Sequence, residues 1–124
     1  MNARVTPVIV NGRKIVVCSP GQFIRTEQDI LDLIAVCGAN DSDLVILPAD
    51  NFALEFFDLK SGLAGVIFQK FSNYLITAAI VGDFTNVSQR FRELIGECNR
   101  GKQIHFTGDI KSAEEWLAGL YIPG

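Results

Sequence analysis

The chain has 124 residues, of which 48% are hydrophobic and 20% are charged, and its formal net charge is −3. This length and apolar content predict a single domain over residues 1–124 that buries roughly two-thirds of its unfolded surface, without metal or disulfide support. The mild acidity argues against a basic surface that neutralises phosphates, so nucleic acid is not expected as a partner.

The cysteines and the apolar segments indicate a reduced, cytoplasmic protein. Cys18, Cys37 and Cys98 are odd in number and form no Cys-x-x-Cys pair, so we expect neither a disulfide framework nor a zinc ribbon, and we expect inert, buried thiols. Residues 1–7 lack the apolar core of a secretion signal. The longest apolar stretch, 74–81, is far shorter than the roughly 20 residues that span a bilayer.

The N-terminal part of the chain is predicted to form a β-hairpin followed by a helix. Residues 5–10 and 14–18 are rich in β-branched side chains, and the Asn11-Gly12 pair between them is typical of a type I′ turn. Pro7 has no backbone donor and is expected at a sheet edge. A capping box of Thr26 and Asp29 then predicts the start of the first helix.

Helical and strand patterns alternate along the rest of the chain. Residues 44–47 form a continuous apolar run, and residues 76–81 are apolar except for Thr77. Both segments are typical of parallel strands covered on both faces. Residues 49–59 between them indicate a connecting segment with one helical turn. Further elements are a strand at 103–107 and helices beginning at Ser61, Asn86 and Ser112, the last with apolar positions at Trp116 and Leu120.

This order predicts an α/β fold: a mixed sheet that starts with an N-terminal β-hairpin and continues with alternating helices and strands. No Walker-type loop or dinucleotide-binding glycine pattern follows any predicted strand, so no cofactor is expected. The single histidine, His105, lies inside a predicted strand without triad partners, which favours a structural role over catalysis. We therefore assign no catalytic residue and no metal ligand from the sequence.

Four carboxylates follow predicted strands: Asp50, Asp58, Asp83 and Asp109. The carboxyl edge of an open α/β sheet is where such folds bind ligands, and two or three converging carboxylates would suit Mg²⁺. Turn chemistry alone also places aspartate at these positions. The sequence is compatible with both interpretations.

Ser61 is the strongest local candidate for a binding site. A serine at the start of a helix lies among unpaired amides at the positive end of the helix dipole. Gly62 and Gly65 keep this end free of side chains, and Lys60 adds a cation. An anion could bind here, or Ser61 could carry a phosphate. Alternatively, Ser61 is an ordinary cap and the glycines allow close helix packing.

Several segments resemble a known family. These are Phe56-Phe57-Asp58-Leu59-Lys60-Ser61-Gly62-Leu63-Ala64-Gly65, Gln69-Lys70-Phe71, Asn73-Tyr74, Ala79-Ile80-Val81-Gly82-Asp83-Phe84 and Glu97-Cys98-Asn99-Arg100-Gly101. Together they are similar to the domain of unknown function 4180 family of small bacterial proteins. This resemblance covers nearly the whole chain and implies a fold without implying a mechanism.

The hairpin-first architecture also resembles the STAS domain of anti-sigma-factor antagonists. In those regulators an Asp-Ser-Ser-Gly-Leu type motif opens the helix after the third strand, and phosphorylation of a serine in it switches partner binding. Here Asp58, Ser61, Gly62 and Leu63 are similar to that motif, with Leu59-Lys60 inserted between the aspartate and the serine. The resemblance implies a STAS-like regulatory domain.

The function predicted from the sequence is that of a non-enzymatic regulatory or protein-interaction domain. Its binding surface is expected around residues 58–65, with a protein partner or a second copy of the chain as occupant. The candidate binding residues are Asp58, Lys60, Ser61, Gly62 and Asp83. The preceding segment contributes three phenylalanines that must pack on the core, in a subunit interface or on a partner: Phe52, Phe56 and Phe57. The alternative is a small-molecule-binding protein or enzyme that uses carboxylates at the carboxyl edge of the sheet.

Overall fold

Strands and helices alternate after an initial hairpin in the computed structural model, which describes residues 4–119. The strands are β1 (Val5–Val10), β2 (Arg13–Cys18), β3 (Leu44–Pro48), β4 (Thr77–Val81) and β5 (Ile104–Thr107). The α-helices are α1 (Glu27–Ala39), α2 (Leu63–Asn73), α3 (Gln89–Arg100) and α4 (Ile110–Gly119). Residues 1–3 and 120–124, including the predicted apolar position Leu120, lie outside the described residues.

The strands form one mixed sheet in the order β1-β2-β3-β4-β5, in which β1 is antiparallel to β2 and the other neighbours are parallel. This confirms the predicted fold class. Successive side chains of a strand point to opposite faces of the sheet, which separates two hydrophobic clusters. Helices α1, α2 and α3 pack on one face, whereas Ala113 and Leu117 of α4 pack on the other, against Ile15, Ile46 and Ala79.

The hairpin forms as the sequence predicts. Asn11 and Gly12 have φ angles of 51° and 77°, as a type I′ turn requires. The Ser19 N–H donates to the Arg4 carbonyl at 2.8 Å, and alternation along the antiparallel ladder then turns Pro7 away from β2. Pro7 therefore lies on the edge strand with its missing donor facing outward, which confirms the prediction and discourages pairing with another chain.

The opposite edge of the sheet is closed by a side chain. Phe106 of β5 directs its backbone groups away from β4, and the carboxamide of Asn99 on α3 binds both of them. The Phe106 N–H donates to Asn99 Oδ1 at 2.7 Å, and Asn99 Nδ2 donates to the Phe106 carbonyl at 3.0 Å. Asn99 thus occupies the hydrogen-bonding positions that a further strand would use.

Helix α1 begins as predicted. Thr26 and Asp29 form a reciprocal capping box, in which each side chain accepts the backbone N–H of the other residue at 3.2 Å. The first turn of α1 is joined to α2 by an ion pair between Glu27 and Lys70, with Oε1 and Nζ 2.8 Å apart.

Two later helices begin at other residues than predicted. Ser88 caps α3 by accepting the Phe91 N–H at 3.1 Å, whereas Asn86 lies outside the helix. At α4, Asp109 accepts the Ser112 N–H at 2.7 Å, so the helix starts before Ser112. In both places several cap-forming residue types stand close together, so the residue pattern alone does not select the cap.

The phenylalanine-rich segment contributes to the core. Phe52 and Phe56 are 2% and 0% exposed, and their rings stack with centroids 4.1 Å apart. Phe56 also meets Phe91 of α3 edge-on at 5.6 Å. Of the three locations that the sequence left open, Phe52 and Phe56 therefore occupy the core, because the aromatic cluster between the helices and the sheet encloses them. Phe57 is half-buried.

Candidate functional site

The segment after β3 folds into short 3₁₀ helices, in place of the one helical turn that was predicted. These are Ala49–Asn51, Leu54–Phe57 and Leu59–Ser61. Burial of Phe52 and Phe56 fixes the inner side of the segment and turns Leu54 outward, where it is 79% exposed. Together with Leu75, Leu54 is the most exposed large hydrophobic side chain among residues 4–119, and it faces solvent from a segment whose other side is buried.

Asn51 fastens the start of this segment to the loop after β2. Its side chain is fully buried, and Nδ2 donates to the carbonyls of Ser19 at 2.9 Å and Gly21 at 2.8 Å. The backbone carbonyl of Asn51 accepts the backbone N–H groups of Phe23 at 3.0 Å and Ile24 at 2.8 Å. Sequence reasoning missed Asn51 because its partners are backbone groups in a distant part of the chain, which leave no residue pattern.

The loop after β4 approaches the same segment closely. A Cβ atom placed on Gly82 would lie 2.6 Å from the Cβ of Ala49, so only glycine fits where the ends of β3 and β4 meet. The next residue, Asp83, accepts the Thr85 N–H at 3.0 Å through Oδ1. Hydrogen bonds from the backbone and side chain of Thr85 lower the pKa of the Asp83 carboxyl, so this side chain is a fixed anion at neutral pH.

The segment after β3 and the loop after β4 enclose a cleft of about 420 Å³, which we call the edge cleft. It lies at the carboxyl edge of the sheet and combines apolar side chains with carboxylates and polar groups. Its lining residues are Leu54, Phe57, Asp58, Asp83, Asn86, Val87 and Ser88. The structure therefore brings together Asp58 and Asp83, which the sequence offered as separate candidates.

Three other candidates from the sequence stand beside the edge cleft and do not line it: Lys60, Ser61 and Gly62. Asp58 Oδ1 accepts the Lys60 N–H at 3.1 Å, which orients the carboxylate. Ser61 Oγ donates to the Glu55 carbonyl at 2.5 Å and accepts the Leu63 N–H at 3.2 Å. The hydroxyl of Ser61 is thus engaged in joining two 3₁₀ helices to the start of α2.

Helix α2 begins two residues later than the sequence predicted. Gly62 is its N-cap with a φ of 79°, a left-handed conformation that glycine adopts without steric cost, and Leu63 is the first helical residue. A Cβ on Gly62 or Gly65 would meet no atom within 4 Å. Close helix packing therefore does not explain either glycine, and Gly62 is required for its backbone conformation.

The remaining two edge carboxylates accept backbone N–H groups outside the edge cleft. Asp50 accepts the Gly21 N–H at 3.4 Å, and Asp109 caps α4. Within residues 4–119 there is no group of three histidine, cysteine, aspartate or glutamate side chains suited to hold a metal ion. Cap chemistry therefore accounts for Asp109, and Asp50 binds the loop after β2, while Asp58 and Asp83 share the edge cleft.

The cysteines and the histidine lie away from the edge cleft. Burial raises the pKa of Cys18 to about 12 and that of Cys37 to about 11, so these two thiols are buried and unreactive at neutral pH, as expected. Cys98 is half-buried, in contrast to the expectation of a buried thiol, and its partial burial also raises its pKa. His105 stacks on Trp116 of α4 with ring centroids 4.5 Å apart, and burial lowers its pKa. The His105 side chain thus packs from β5 against α4, in agreement with the predicted structural role.

Fold and site together describe a small α/β domain whose mixed sheet carries an apolar, carboxylate-lined cleft at its carboxyl edge. The chain belongs to the family described as Domain of unknown function (DUF4180), whose model matches residues 10–117. No protein with a curated description matches it. In the part of the chain that is described, no helix is long and apolar enough to cross a membrane.

Among solved structures, the chain is similar to a crystal structure from Thermotoga maritima described as that of a proposed anti-sigma factor antagonist. The two sequences are 13% identical, the match covers 91% of this chain and 93% of that one, and the TM-score is 0.46. The sequence resembles the same kind of protein, the anti-sigma-factor antagonists, in its architecture. A likeness at this distance carries no argument about function.

Proposed function

We propose that this protein is a regulatory protein-interaction domain that binds its partner at the edge cleft. The observation that supports the proposal is the exposure of Leu54, 79%, beside half-buried Phe57 and Val87 in a concave surface. Apolar side chains gathered in a surface cleft gain free energy when a partner removes them from water, at about 25 cal/mol per Å². Scattered single leucines need no such explanation, but this one belongs to a cleft.

The sheet topology favours partner binding over an active site. Open α/β sheets bind small ligands where the strand order reverses, because helices on opposite faces open a crevice there. In residues 4–119 the strands follow one another from β1 to β5 without a reversal, and α1, α2 and α3 share one face. The edge cleft instead arises from the segment and the loop, and it is open to solvent.

We further propose that modification of Ser61 regulates this surface. The Ser61 hydroxyl donates to the carbonyl of Glu55, which lies in the same 3₁₀ helix as Leu54 and Phe57. A phosphate on Ser61 would replace that donor with acceptor oxygens and add negative charge beside Asp58. The 3₁₀ helix that presents Leu54 would lose this attachment, with Lys60 and the first amides of α2 left to receive the phosphate.

The test compares protein capture by the tagged wild-type chain with capture by Leu54→Arg, in cells that express the protein. Leu75→Arg is the matched control, because Leu75 is also 79% exposed but lies in the turn before β4, at the opposite end of the strands. We expect a specific set of proteins to be lost with Leu54→Arg and kept with Leu75→Arg. Equal capture by all three chains, each with an unchanged melting temperature, would refute the proposal.

Intact-mass analysis of the tagged wild-type chain, recovered from the same cells, tests the regulation by Ser61. A species heavier by one phosphate that disappears in Ser61→Ala would support it. We expect Ser61→Asp to change the captured set in the same direction as phosphorylation. Absence of the heavier species under all growth conditions would remove the regulatory part and leave the binding part standing.

A second candidate function is binding or conversion of a small molecule. The observation that favours it is the presence of two carboxylates, Asp58 and Asp83, in one cleft. Native mass spectrometry distinguishes the two functions. A metabolite retained in stoichiometric amount by the wild-type chain, and lost from Asp58→Asn and Asp83→Asn, would favour this candidate over the protein-interaction proposal.

A further inference from the structure

We infer that the edge cleft recognises a cationic side chain, arginine or lysine, of the partner protein. Its aliphatic stem would pack on Leu54, Phe57 and Val87, and its charged group would meet the carboxylates of Asp58 and Asp83. This inference rests on the proposed function and names the chemistry of the partner. It is argued from the charges, the apolar lining and the fixed geometry of the cleft.

The negative charge of the edge cleft is not compensated by a basic side chain in its lining. Asp58 and Asp83 are both exposed, and the other lining residues include no lysine, arginine or histidine. Within the described range 4–119, neither carboxylate forms an ion pair with a basic side chain, and Asp58 Oδ2 accepts no hydrogen bond. The cleft therefore presents negative charge that a cationic partner group would neutralise.

One guanidinium beside the loop after β4, that of Arg92, is bound to other groups. Arg92 of α3 donates to the carbonyls of Thr85 at 3.1 Å and Val87 at 3.4 Å, so it supports the loop after β4 from behind. It does not line the cleft. The loop thus keeps its shape without neutralising Asp83.

The two carboxylates of the edge cleft are held in place by backbone hydrogen bonds. Each carboxylate accepts a backbone N–H two residues ahead, from Lys60 to Asp58 at 3.1 Å and from Thr85 to Asp83 at 3.0 Å. Such turns fix the direction of the carboxylate before the partner arrives. Less side-chain freedom is then lost on binding, which favours affinity for a charged group of matching geometry.

Apolar side chains line the edge cleft beside the two carboxylates. Arginine and lysine combine a chain of methylene groups with a cationic end, and they cover apolar surface while the charge stays at the rim. Leu54, Phe57 and Val87 offer such a surface next to Asp58 and Asp83. An acidic side chain would meet like charge, and a purely apolar one would leave the carboxylates without a partner.

The test is an NMR titration of the ¹⁵N-labelled chain with n-butylguanidinium and n-butylammonium, which represent the two side chains. Sodium butyrate is the anionic control, and guanidinium chloride is the control without a stem. We expect both butyl cations to shift the amide signals of Lys60, Thr85 and residues 86–88 in a saturable way. Butyrate should leave these signals in place, and guanidinium should bind more weakly than n-butylguanidinium.

Substitutions then assign the charge contacts. Exposed ion pairs are weak, so Asp58→Asn and Asp83→Asn should each raise the dissociation constant of n-butylguanidinium about two- to fivefold. Asp50→Asn is the matched control, because Asp50 is an edge carboxylate outside the cleft, and it should leave the constant unchanged.

The inference is overturned if butyrate shifts the same amides as strongly as the cations, if no probe gives saturable shifts, or if both cleft variants bind like the wild-type chain. Loss of captured proteins with Leu54→Arg would in that case still uphold the proposed function with another partner chemistry. Conversely, saturable cation binding together with equal capture by Leu54→Arg would uphold a cationic site and refute protein binding there. The two failures are therefore distinguishable.

Discussion

Replacement of Asn51 by alanine should destabilise the fold more than any other single polar truncation near the cleft. The change leaves the carbonyls of Ser19 and Gly21 without the donor that now binds them at 2.9 and 2.8 Å. Each lost hydrogen bond contributes about 1 kcal/mol, and an acceptor left buried without a partner costs up to about 3 kcal/mol. Since both carbonyls lie near the surface and regain some water, we expect a loss of about 2–4 kcal/mol.

A loss of this size is large against the roughly 5–15 kcal/mol that separates the folded and unfolded states of a domain. It corresponds to a fall in melting temperature of roughly 6–20 °C for a chain of this length. Urea unfolding followed by circular dichroism and by the fluorescence of the single tryptophan measures it directly. The cleft should loosen as well, because Asn51 attaches the segment that carries Leu54.

Two further variants make the reasoning on Asn51 refutable. Asn51→Asp keeps the shape, removes both donors and places a carboxylate against two carbonyls, so it should be at least as destabilising at neutral pH and partly recover in acid, where the carboxyl is protonated. Asn86→Ala is the control, because Asn86 is exposed and should change the free energy of unfolding by less than about 0.5 kcal/mol. An Asn51→Ala chain as stable as the control would refute the argument.

Three other predictions concern packing, the sheet edge and pH. Gly82→Ala should lower the free energy of unfolding by roughly 1–3 kcal/mol, because the new Cβ would lie 2.6 Å from a neighbouring side chain. Gly65→Ala has open space around it and should raise the free energy of unfolding by up to about 1 kcal/mol, because alanine favours the helix. Urea unfolding measures both changes. Asn99→Ala leaves the backbone groups of Phe106 without their partner, so it should lower the free energy of unfolding by roughly 1–3 kcal/mol. It should also promote aggregation through the uncovered sheet edge, which light scattering detects. Burial lowers the pKa of His105 in the folded state, so its contribution to stability is complete above its unfolded pKa, about 6.5, and is lost as the pH falls through the lower folded value. Unfolding curves between pH 5 and 8 should show this loss, and His105→Phe should abolish it.

Each of these predictions has a contrary result. Equal urea midpoints for Gly82→Ala and Gly65→Ala would show that the contact at the end of β4 relaxes without cost. An Asn99→Ala chain that stays monodisperse and as stable as wild type would show that the β5 edge needs no cover. A pH dependence above pH 5 that persists in His105→Phe would assign it to other groups, since the lowered pKa values of Asp83 and Asp109 act only in more acidic solution.

The sequence alone determined those features that depend on neighbouring residues. The Asn11-Gly12 pair specifies a type I′ turn because both positions need positive φ, and Thr26 with Asp29 closes a box within one helical turn. The strongly apolar segments 44–47 and 76–81 marked β3 and β4, because a parallel strand covered on both faces has little polar surface. From these local features the order of elements and the mixed sheet follow.

The tertiary structure decided which side chains meet. Asp58 and Asp83 are far apart in sequence, and they share a cleft because β3 and β4 are adjacent and the segment between them is bound inward by buried aromatic rings and by Asn51. The same constraint buried Phe52 and exposed Leu54, although both are apolar residues in one segment. Apolar composition predicts that most such residues are buried, but the space between the helices and the sheet determines which of them are.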